Sequence, residues 1–594
     1  MTPRYFIPLF LLTFVLPGFV SRVDAQQDTS KMNQQVEVIK AYRPSVSKAE
    51  KINLLPEIND TTRFRPDLNY KISSHPVTSG FQSSALNASN QLPAEFNHPG
   101  YGKISGGFGT NLTPFFDFYL NNPNSENGTF GLQLNHLSSQ GSVELKGGNQ
   151  IDAPFSYNRA VAYGSYVYEG VTISSDFSYQ RDVNRFYGYP IAIPSDILTN
   201  NFVKYFGKDQ TNQLGNFHLQ VKSNASASSA LRFNSGVNLS YFNTSTDQVE
   251  KAMRFVGDFD YDFGAFRGKL SAAYSHFDTE NVTNNTDFAV MASSGSSWLQ
   301  LSPTAFYQNE NFTIEGGFNL YSVFDNLNGT IVKPYPKVSF AFHTAEKNFT
   351  LYAGLNGYLE NNNYSKIASE NRWVNPTLTV RPSSHLSTFS AGVKGKITTP
   401  LTFDIGVNYG KTEDQYFYVT RVERYGYSSS TTSLEGLAYN NAFEVVYDQL
   451  STLDFSGDLS YTGAGMFLLL SGHFYSYQLN ALEKAPYMPD FTLNATSEFK
   501  VTNHLSALAE MFVTGPRNLM LKYYLPPISS ATPPPPIYLK ADPVLDVNIG
   551  AKYSFSNKFD FFGKVENLLN RKDEIWYGYT VQGIRIKLGA SLSF

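Results

Sequence analysis

The chain has 594 residues, no cysteine, and 46 lysines and arginines against 50 aspartates and glutamates. Its hydrophobic content of 41% and its charged content of 16% lie below the averages of about 45–50% and about 25% for soluble domains, whereas its aromatic content of 15% argues against a disordered chain. The lack of cysteine excludes a disulfide scaffold, the near-neutral charge gives no reason to expect a nucleic-acid partner, and the composition favours a fold with one apolar face and one neutral polar face.

Residues 1–25 have the features of a cleaved signal peptide. Arg4 supplies the positive start, residues 5–20 form an apolar stretch that prolines interrupt, and the following residues offer a cleavage site after Ala25. We therefore expect an exported mature chain that begins at Gln26. A membrane anchor fits less well, because the apolar stretch is short and polar sequence follows it. Further along the chain, no stretch approaches the roughly 18 apolar residues of a membrane-spanning helix.

Residues 26–100 are predicted to form an N-terminal tail. The tail contains one β-prone stretch in polar surroundings, made of Val36, Glu37, Val38 and Ile39. Such a stretch can add as a strand to a partner protein, or it can pair with the rim of this chain's own sheet, and both alternatives stay open. Residues 45–100 are rich in Ser, Asn and Pro and show no βαβ-like pattern. Because a segment of this size seldom has a self-sufficient core, we expect only a vestigial domain here.

Residues 101–594 show one dominant pattern, which is alternation of apolar and polar residues. The segments 231–241, 401–409 and 545–553 are clear examples. A period of two residues indicates a strand with one wet face and one apolar face. The segments are long for globular strands and suit a tilted membrane crossing of about 9–11 residues.

The connections between these segments alternate in length. Short turns are predicted at residues 169–170, 263–264, 309–311, 346–348, 398–400, 462–465, 502–504 and 556–558. Mostly longer connections are predicted between them, such as residues 180–215, 279–297, 360–385, 411–441 and 516–543. Tight periplasmic turns alternating with long external loops are typical of outer-membrane barrels. The sequence therefore predicts an all-β fold, a transmembrane antiparallel β-barrel of about 22 strands with a short N-terminal periplasmic or lumenal segment.

One acidic stretch imitates a calcium-binding loop. In residues 258–264, however, the glycine stands one position late for that motif. With a turn at residues 264–265, Asp262 lies opposite Arg267 and Asp260 lies opposite Lys269. We therefore expect cross-strand charge pairs on the lumenal face.

The sequence offers no catalytic or metal-binding constellation. The nine histidines are scattered and there is no cysteine to complete a metal site with them. No Gly-x-Ser-x-Gly motif occurs, and the phosphate-loop-like residues 406–412 have the wrong glycine spacing. We expect no enzymatic activity, no catalytic residues, no cofactor and no metal.

The last strand is amphipathic and ends in an aromatic residue. One face carries Ile584, Ile586, Leu588, Leu592 and Phe594. A terminal aromatic residue on such a strand resembles the signal that outer-membrane assembly machinery recognises, and we assign that role to these five residues.

A family resemblance appears just before this strand. The motif Asn567, Leu568, Leu569, Asn570, with Trp576 in the loop that follows, resembles the closing strands of TonB-dependent outer-membrane receptors. The resemblance covers only this short C-terminal region. It implies that residues 36–39 correspond to the segment through which TonB pulls such receptors. It also implies a departure from the family, because its large plug domain is truncated or absent here, as in plug-poor barrels of the Bacteroidota type.

The resemblance implies a function in the cell envelope. The expected protein is a receptor-like barrel in the outer membrane of a Gram-negative bacterium, for uptake or passage of a solute. Its expected partners are outer-membrane lipid, TonB or other envelope proteins, and the assembly machinery during biogenesis. The alternative is a non-transporting structural or docking subunit of a multi-protein outer-membrane machine, such as one for protein assembly or export. Because a barrel of this size leaves a wide pore, something must occupy its lumen in either case.

Overall fold

The computed structural model describes residues 101–594 except for breaks at residues 123–127, 147, 149, 189–208, 225–230, 282–293, 326–328, 345, 347, 376–377, 379, 425–436 and 525–534. The expected signal peptide, the tail and its strand Val36 to Ile39 lie outside the described residues. No described helix is long and apolar enough to span a membrane.

Almost all of the described elements are strands. In chain order they are β1 Gly102–Gly109, β2 Thr113–Asn121, β3 Gly128–Ser139, β4 Ser142–Glu144, β5 Gln150–Asp152, β6 Phe155–Tyr168, β7 Val171–Arg185, β8 Asp209–Ser223, β9 Leu231–Thr244, β10 Gln248–Phe263, β11 Phe266–Asn281, β12 Ser294–Gln308, β13 Phe312–Asp325, β14 Gly329–His343, β15 Phe349–Glu360, β16 Ser383–Thr398, β17 Leu401–Arg424, β18 Leu437–Thr462, β19 Met466–Leu479, β20 Phe491–Lys500, β21 Leu505–Thr514, β22 Arg517–Tyr524, β23 Ile537–Ala541, β24 Val544–Ser554, β25 Phe559–Glu566, β26 Glu574–Trp576, β27 Tyr579–Thr580 and β28 Arg585–Ser593. One helix, α1 Tyr364–Glu370, lies between β15 and β16.

Twenty-two antiparallel strands close into a barrel. The main sheet has 24 strands, but β22 and β23 form a hairpin outside the ring, because β21 pairs directly with β24. The ring closes where β1 pairs with β28, with Gly106 opposite Ala590. The predicted fold class and strand number are confirmed.

The two faces of the wall differ as the alternation predicts. On β10, Phe255, Phe259 and Tyr261 are exposed, while the carboxylates of Asp258 and Asp260 lie on the other face and are partly buried. Other strands repeat this arrangement, so an apolar surface faces outward and polar side chains line the lumen.

The two ends of the barrel are built differently. We call the end at which Tyr101 and Phe594 lie the terminal rim, and the opposite end the loop rim. Turns at the terminal rim are tight. One joins β6 to β7 through Glu169 and Gly170, whose φ angles of 37° and 95° suit a two-residue hairpin.

Long connections occur at the loop rim, as predicted, but two of them contain strands: β22 and β23 lie within residues 516–543, and β17 and β18 extend into residues 411–441. Residues 411–441 were expected to form a loop, whereas β17 continues to Arg424 and β18 begins at Leu437. The extended parts of β17 and β18 pair with each other, with Thr420 opposite Phe443, and β22 adds to the other side of β17 in parallel, with Thr420 opposite Leu521. Tyr416 and Tyr418 of this extension also pack against the connection between β15 and β16.

Candidate functional site

The connection between β15 and β16, residues 361–382, is the central feature of the loop rim, and we call it the crossing loop. It contains α1, which begins after Asn363. The Asn363 side chain accepts a hydrogen bond from the Lys366 amide at 3.0 Å, a normal N-cap contact. The helix buries Tyr364, Ile367 and Ala368.

The crossing loop reaches strands that are distant around the ring. Seven strands separate β7 from β15 along the shorter way round, yet the Trp373 indole N–H donates to the Arg185 carbonyl at 2.9 Å. The Arg372 guanidinium lies 4.2 Å from the centre of the Tyr157 ring on β6. The crossing loop therefore spans the mouth of the barrel.

The contact with β10 is made by a single carboxylate. Glu250 accepts hydrogen bonds from the backbone amides of Tyr364 at 2.6 Å and Ser365 at 2.9 Å. Amides in the first turn of a helix have no partner within the helix. Glu250, only 6% exposed, supplies that partner from the barrel wall.

A buried cluster of largely aromatic side chains lies on the crossing loop and its neighbours. It consists of Phe242, Tyr364, Ile367, Ala368, Val374, Leu378, Tyr416, Tyr418, Phe443, Tyr487, Leu519, Ala541, Ile575, Trp576 and Tyr579. We call the crossing loop together with this cluster the cap. Trp373 stacks on Tyr579 with ring centres 4.1 Å apart, and Trp576 contacts the rings of Tyr418, Phe443 and Tyr487. Aromatic pairs of this kind add about 0.5–1.5 kcal/mol each beyond the burial of their surface.

Polar contacts tie the cap elements to one another. The hydroxyls of Tyr416 and Tyr418 donate to the Glu370 carboxylate at 2.7 and 2.8 Å. Burial raises the pKa of Glu370 above its ordinary value, although these two hydrogen bonds oppose the shift. Arg517, which is 2% exposed, donates to the carbonyls of Ile575 at 2.7 Å and Glu574 at 2.9 Å. These bonds attach the β22–β23 hairpin to the last loop.

The predicted motif at residues 567–570 forms the corner between β25 and that last loop. Asn567 and Asn570 have φ angles of 50° and 49°, a left-handed conformation that asparagine tolerates better than most residues. The Asn567 side-chain amide donates to the Arg571 carbonyl at 2.7 Å and to the Gln582 carbonyl at 3.1 Å. Leu568 and Leu569 are exposed. The left-handed backbone at both positions, together with the hydrogen bonds of Asn567, explains why asparagine occurs at the two ends of this motif.

The predicted C-terminal face lies on the outside of the barrel. Its residues are all exposed, namely Ile584, Ile586, Leu588, Leu592 and Phe594. The alternate residues face the lumen, where Arg585 and Lys587 contact the Glu566 carboxylate at 3.0 and 2.9 Å. The final strand is therefore amphipathic in the structure too, and its role as an assembly signal stays a prediction.

The residues of the two expected charge pairs lie opposite each other on β10 and β11, and an ion pair is seen between Asp262 and Arg267. Asp260 lies opposite Lys269, and Asp262 lies opposite Arg267. The Arg267 guanidinium is 2.8 Å from the Asp262 carboxylate, which also contacts Arg232 at 3.0 Å. The sequence did not reveal Arg232, because it comes from the neighbouring strand β9.

Within the described part of the chain, no group of three or more His, Cys, Asp or Glu residues could hold a metal ion. The cap was also missed by the sequence reasoning, which treated residues 360–385 as an ordinary external loop. Its apolar content was the available signal: Ile367, Trp373, Val374 and Leu378 are unusual in a solvated loop, and all are at least partly buried here.

Comparison with known proteins relates the chain to others through structure. No protein-family model matches the sequence, and neither does any curated protein. The siderophore receptor PirA from Acinetobacter baumannii is similar with a TM-score of 0.61 and 10% identity, over 85% of this chain and 81% of that one.

Two metal transporters resemble the chain to a similar degree. The FrpB iron transporter from Neisseria meningitidis has a TM-score of 0.60 and 10% identity, over 83% of this chain and 81% of its own. The copper transporter OprC has a TM-score of 0.57 and 13% identity, over 84% and 82%. At these identities the similarity shows a shared fold.

Proposed function

We propose that this protein is an outer-membrane β-barrel of the TonB-dependent receptor type that controls the passage of a solute. The observation that carries the proposal is a 22-strand barrel whose mouth is crossed by a loop anchored on distant strands. A barrel of this size is too wide for its own wall side chains to fill. A path of solute size through it therefore needs a closing element, and the cap is placed to act as one.

The outer face supports an outer-membrane location. Exposed apolar side chains such as Phe259, Phe318, Phe389 and Phe455 recur on the outward positions of strands around the ring, as lipid contact requires. We propose that residues 1–25 are removed on export, and that outer-membrane lipid and the assembly machinery are partners. We also propose that Val36 to Ile39 contact TonB or another envelope protein, and that the plug is vestigial, as in Bacteroidota-type barrels.

Conductance in planar lipid bilayers tests solute passage. The mature chain, a variant without residues 26–100, and a variant with Trp373 and Trp576 both replaced by alanine should be compared. We expect the mature chain to be nearly closed and the cap variant to conduct, with a further increase when the tail is also removed. The proposal would be contradicted if no variant conducted although each was folded and inserted into the bilayer.

The cap also supports a second candidate function. It is an interlocked structure in which Arg517 and Trp373 hold several loops together, and a docking subunit of an outer-membrane machine would benefit from such a fixed surface. Cross-linking of the native complex followed by mass spectrometry separates the two functions. A stoichiometric set of partners without TonB favours the docking subunit.

A further inference from the structure

We propose that Glu250 is the latch residue that holds the crossing loop shut. This inference rests on the proposed control of passage and names the side chain that regulates it. Glu250 lies near the loop-rim end of β10, while the crossing loop starts from β15, so the two are connected only across the mouth of the barrel.

The chemistry of the contact suits a releasable latch. Among the described residues, Glu250 has no salt bridge, and its two oxygens accept from the Tyr364 and Ser365 amides instead. Hydrogen bonds to a charged group are about twice as strong as neutral ones. They are nevertheless reversible, because water can replace each partner when the loop moves away.

Two buried side-chain amides, one on β10 and one on the crossing loop, disfavour the closed state. The side-chain nitrogen and oxygen of Gln248 are buried without a hydrogen-bond partner, and so is the side-chain nitrogen of Asn371 on the crossing loop. Gln248 and Asn371 are 1% and 0% exposed. A buried polar group without a partner destabilises the state that contains it. Opening would let water reach both amides, so that the closed state depends on the latch.

Two further residues of the crossing loop contact the wall on β6 and β7. The Arg372 guanidinium lies over the Tyr157 ring and donates one hydrogen bond to the Tyr157 hydroxyl, and the Trp373 indole makes one neutral hydrogen bond to Arg185. Glu250 is the only one of these anchors that places a buried charge on the wall. Its removal should therefore shift the loop more than the removal of either other anchor.

The experiment measures the loop position directly. The chain has no cysteine, so that cysteines introduced at Ser245 on the wall and at Ser369 on α1 carry the only spin labels. Double electron–electron resonance on the full chain in detergent then reports the distance between α1 and the wall at β9 and β10. We expect Glu250→Ala to raise the ratio of open to closed molecules by about tenfold or more, with Glu250→Gln intermediate because its amide keeps one acceptor oxygen.

A matched control removes a carboxylate that does not touch the loop. Glu315 on β13 is 7% exposed and contacts Lys337 at 3.4 Å. Glu315→Ala should leave the distance distribution unchanged. An unchanged distribution in both Glu250→Ala and Glu250→Ala/Arg372→Ala would overturn the latch, and Glu250→Gln decides the question if the alanine variants do not fold.

A conductance measurement on the same variants separates this inference from the proposed function. Bridging the two cysteines with a bis-maleimide of matching length should abolish any conductance that Glu250→Ala creates. If Glu250→Ala shifts the distance distribution to longer values but no variant conducts, the latch is supported and the proposed solute passage is wrong. If the tail-deleted chain conducts while the crossing loop keeps its position in both Glu250→Ala and Glu250→Ala/Arg372→Ala, solute passage is supported and the latch is wrong.

Discussion

The two rims of the barrel are stabilised by contacts that differ in sequence separation: short at the terminal rim and long at the loop rim. At the terminal rim, Asn309 accepts hydrogen bonds from the amides of Asn311 and Phe312 at 2.9 and 2.8 Å, all within one turn. At the loop rim, Arg517 donates a hydrogen bond to the carbonyl of Ile575. The Tyr187 hydroxyl donates to the carbonyl of Thr580, which lies 393 residues further along the chain. The difference indicates that the wall is specified locally, hairpin by hairpin, whereas the cap requires most of the chain.

The largest expected effect tests whether the wall is independent of the cap. Glu566→Leu leaves Arg585 and Lys587 in the lumen without their carboxylate, and loss of one partner in a buried pair costs about 3–5 kcal/mol. We expect weaker closure between β25 and β28, measured as a lower temperature for loss of the compact barrel band in gel electrophoresis. Spin labels at Ser245 and Ser369 should report an unchanged cap below that temperature.

The converse variant should damage the cap alone. Trp576 is 4% exposed and contacts three other rings, so that Trp576→Ala should cost about 3–5 kcal/mol. Hydrogen exchange should increase in residues 364–374 and 575–580, while the amides of β10 and β11 stay protected. Equal loss of protection in those two strands would show that cap and wall form one cooperative unit.

The corner at Asn567 connects the two regions and should show an intermediate effect. Asn567→Ala removes two side-chain hydrogen bonds to carbonyls. It also places alanine at a positive φ angle, a backbone conformation that alanine adopts less readily than asparagine. We expect a loss of about 1–3 kcal/mol, measured by chemical denaturation of the folded barrel. Asn567→Gly should recover part of the loss, because glycine accepts this backbone conformation. No recovery would assign the whole effect to the side-chain hydrogen bonds.

A smaller effect is expected from the pH dependence that Glu370 contributes to the cap. Burial raises the pKa of Glu370 in the folded cap, so the folded state favours the protonated carboxyl. The stabilisation is therefore fully present below the ordinary pKa of a glutamate and is lost as the pH rises through the raised value. Limited proteolysis of the crossing loop should accelerate over that interval, and Glu370→Gln should flatten the profile. An unchanged profile in Glu370→Gln would assign the dependence to another group.

The smallest effect is expected on the lumenal wall. Asp262 lies between Arg232 and Arg267 but is 37% exposed at its side chain. Salt bridges this exposed contribute about 0–1 kcal/mol. Asp262→Asn should leave both the melting temperature of the barrel and the position of the crossing loop nearly unchanged.

This difference in sequence separation also explains which parts of the structure the sequence could predict. Alternation along β10, together with a turn at Gly264, was sufficient to place Asp260 opposite Lys269, because a strand and its hairpin partner are close in sequence. The same reasoning led to 22 strands. It could not place Glu250 against Tyr364, since no periodic pattern connects positions on different sides of a barrel. It also misjudged β17, whose distal half continues to pair with β18 and is flanked on its other side by β22.

The position of Trp576 in the chain has a consequence for folding order. Trp576 lies in the loop before the final strand, and it completes the aromatic cluster to which β9, the crossing loop and β18 have already contributed. Contacts between residues this distant in sequence form slowly, because the intervening chain must first be ordered. The cap should therefore be the last part of the molecule to assemble, and its protection from exchange would report that a newly made chain has closed its barrel.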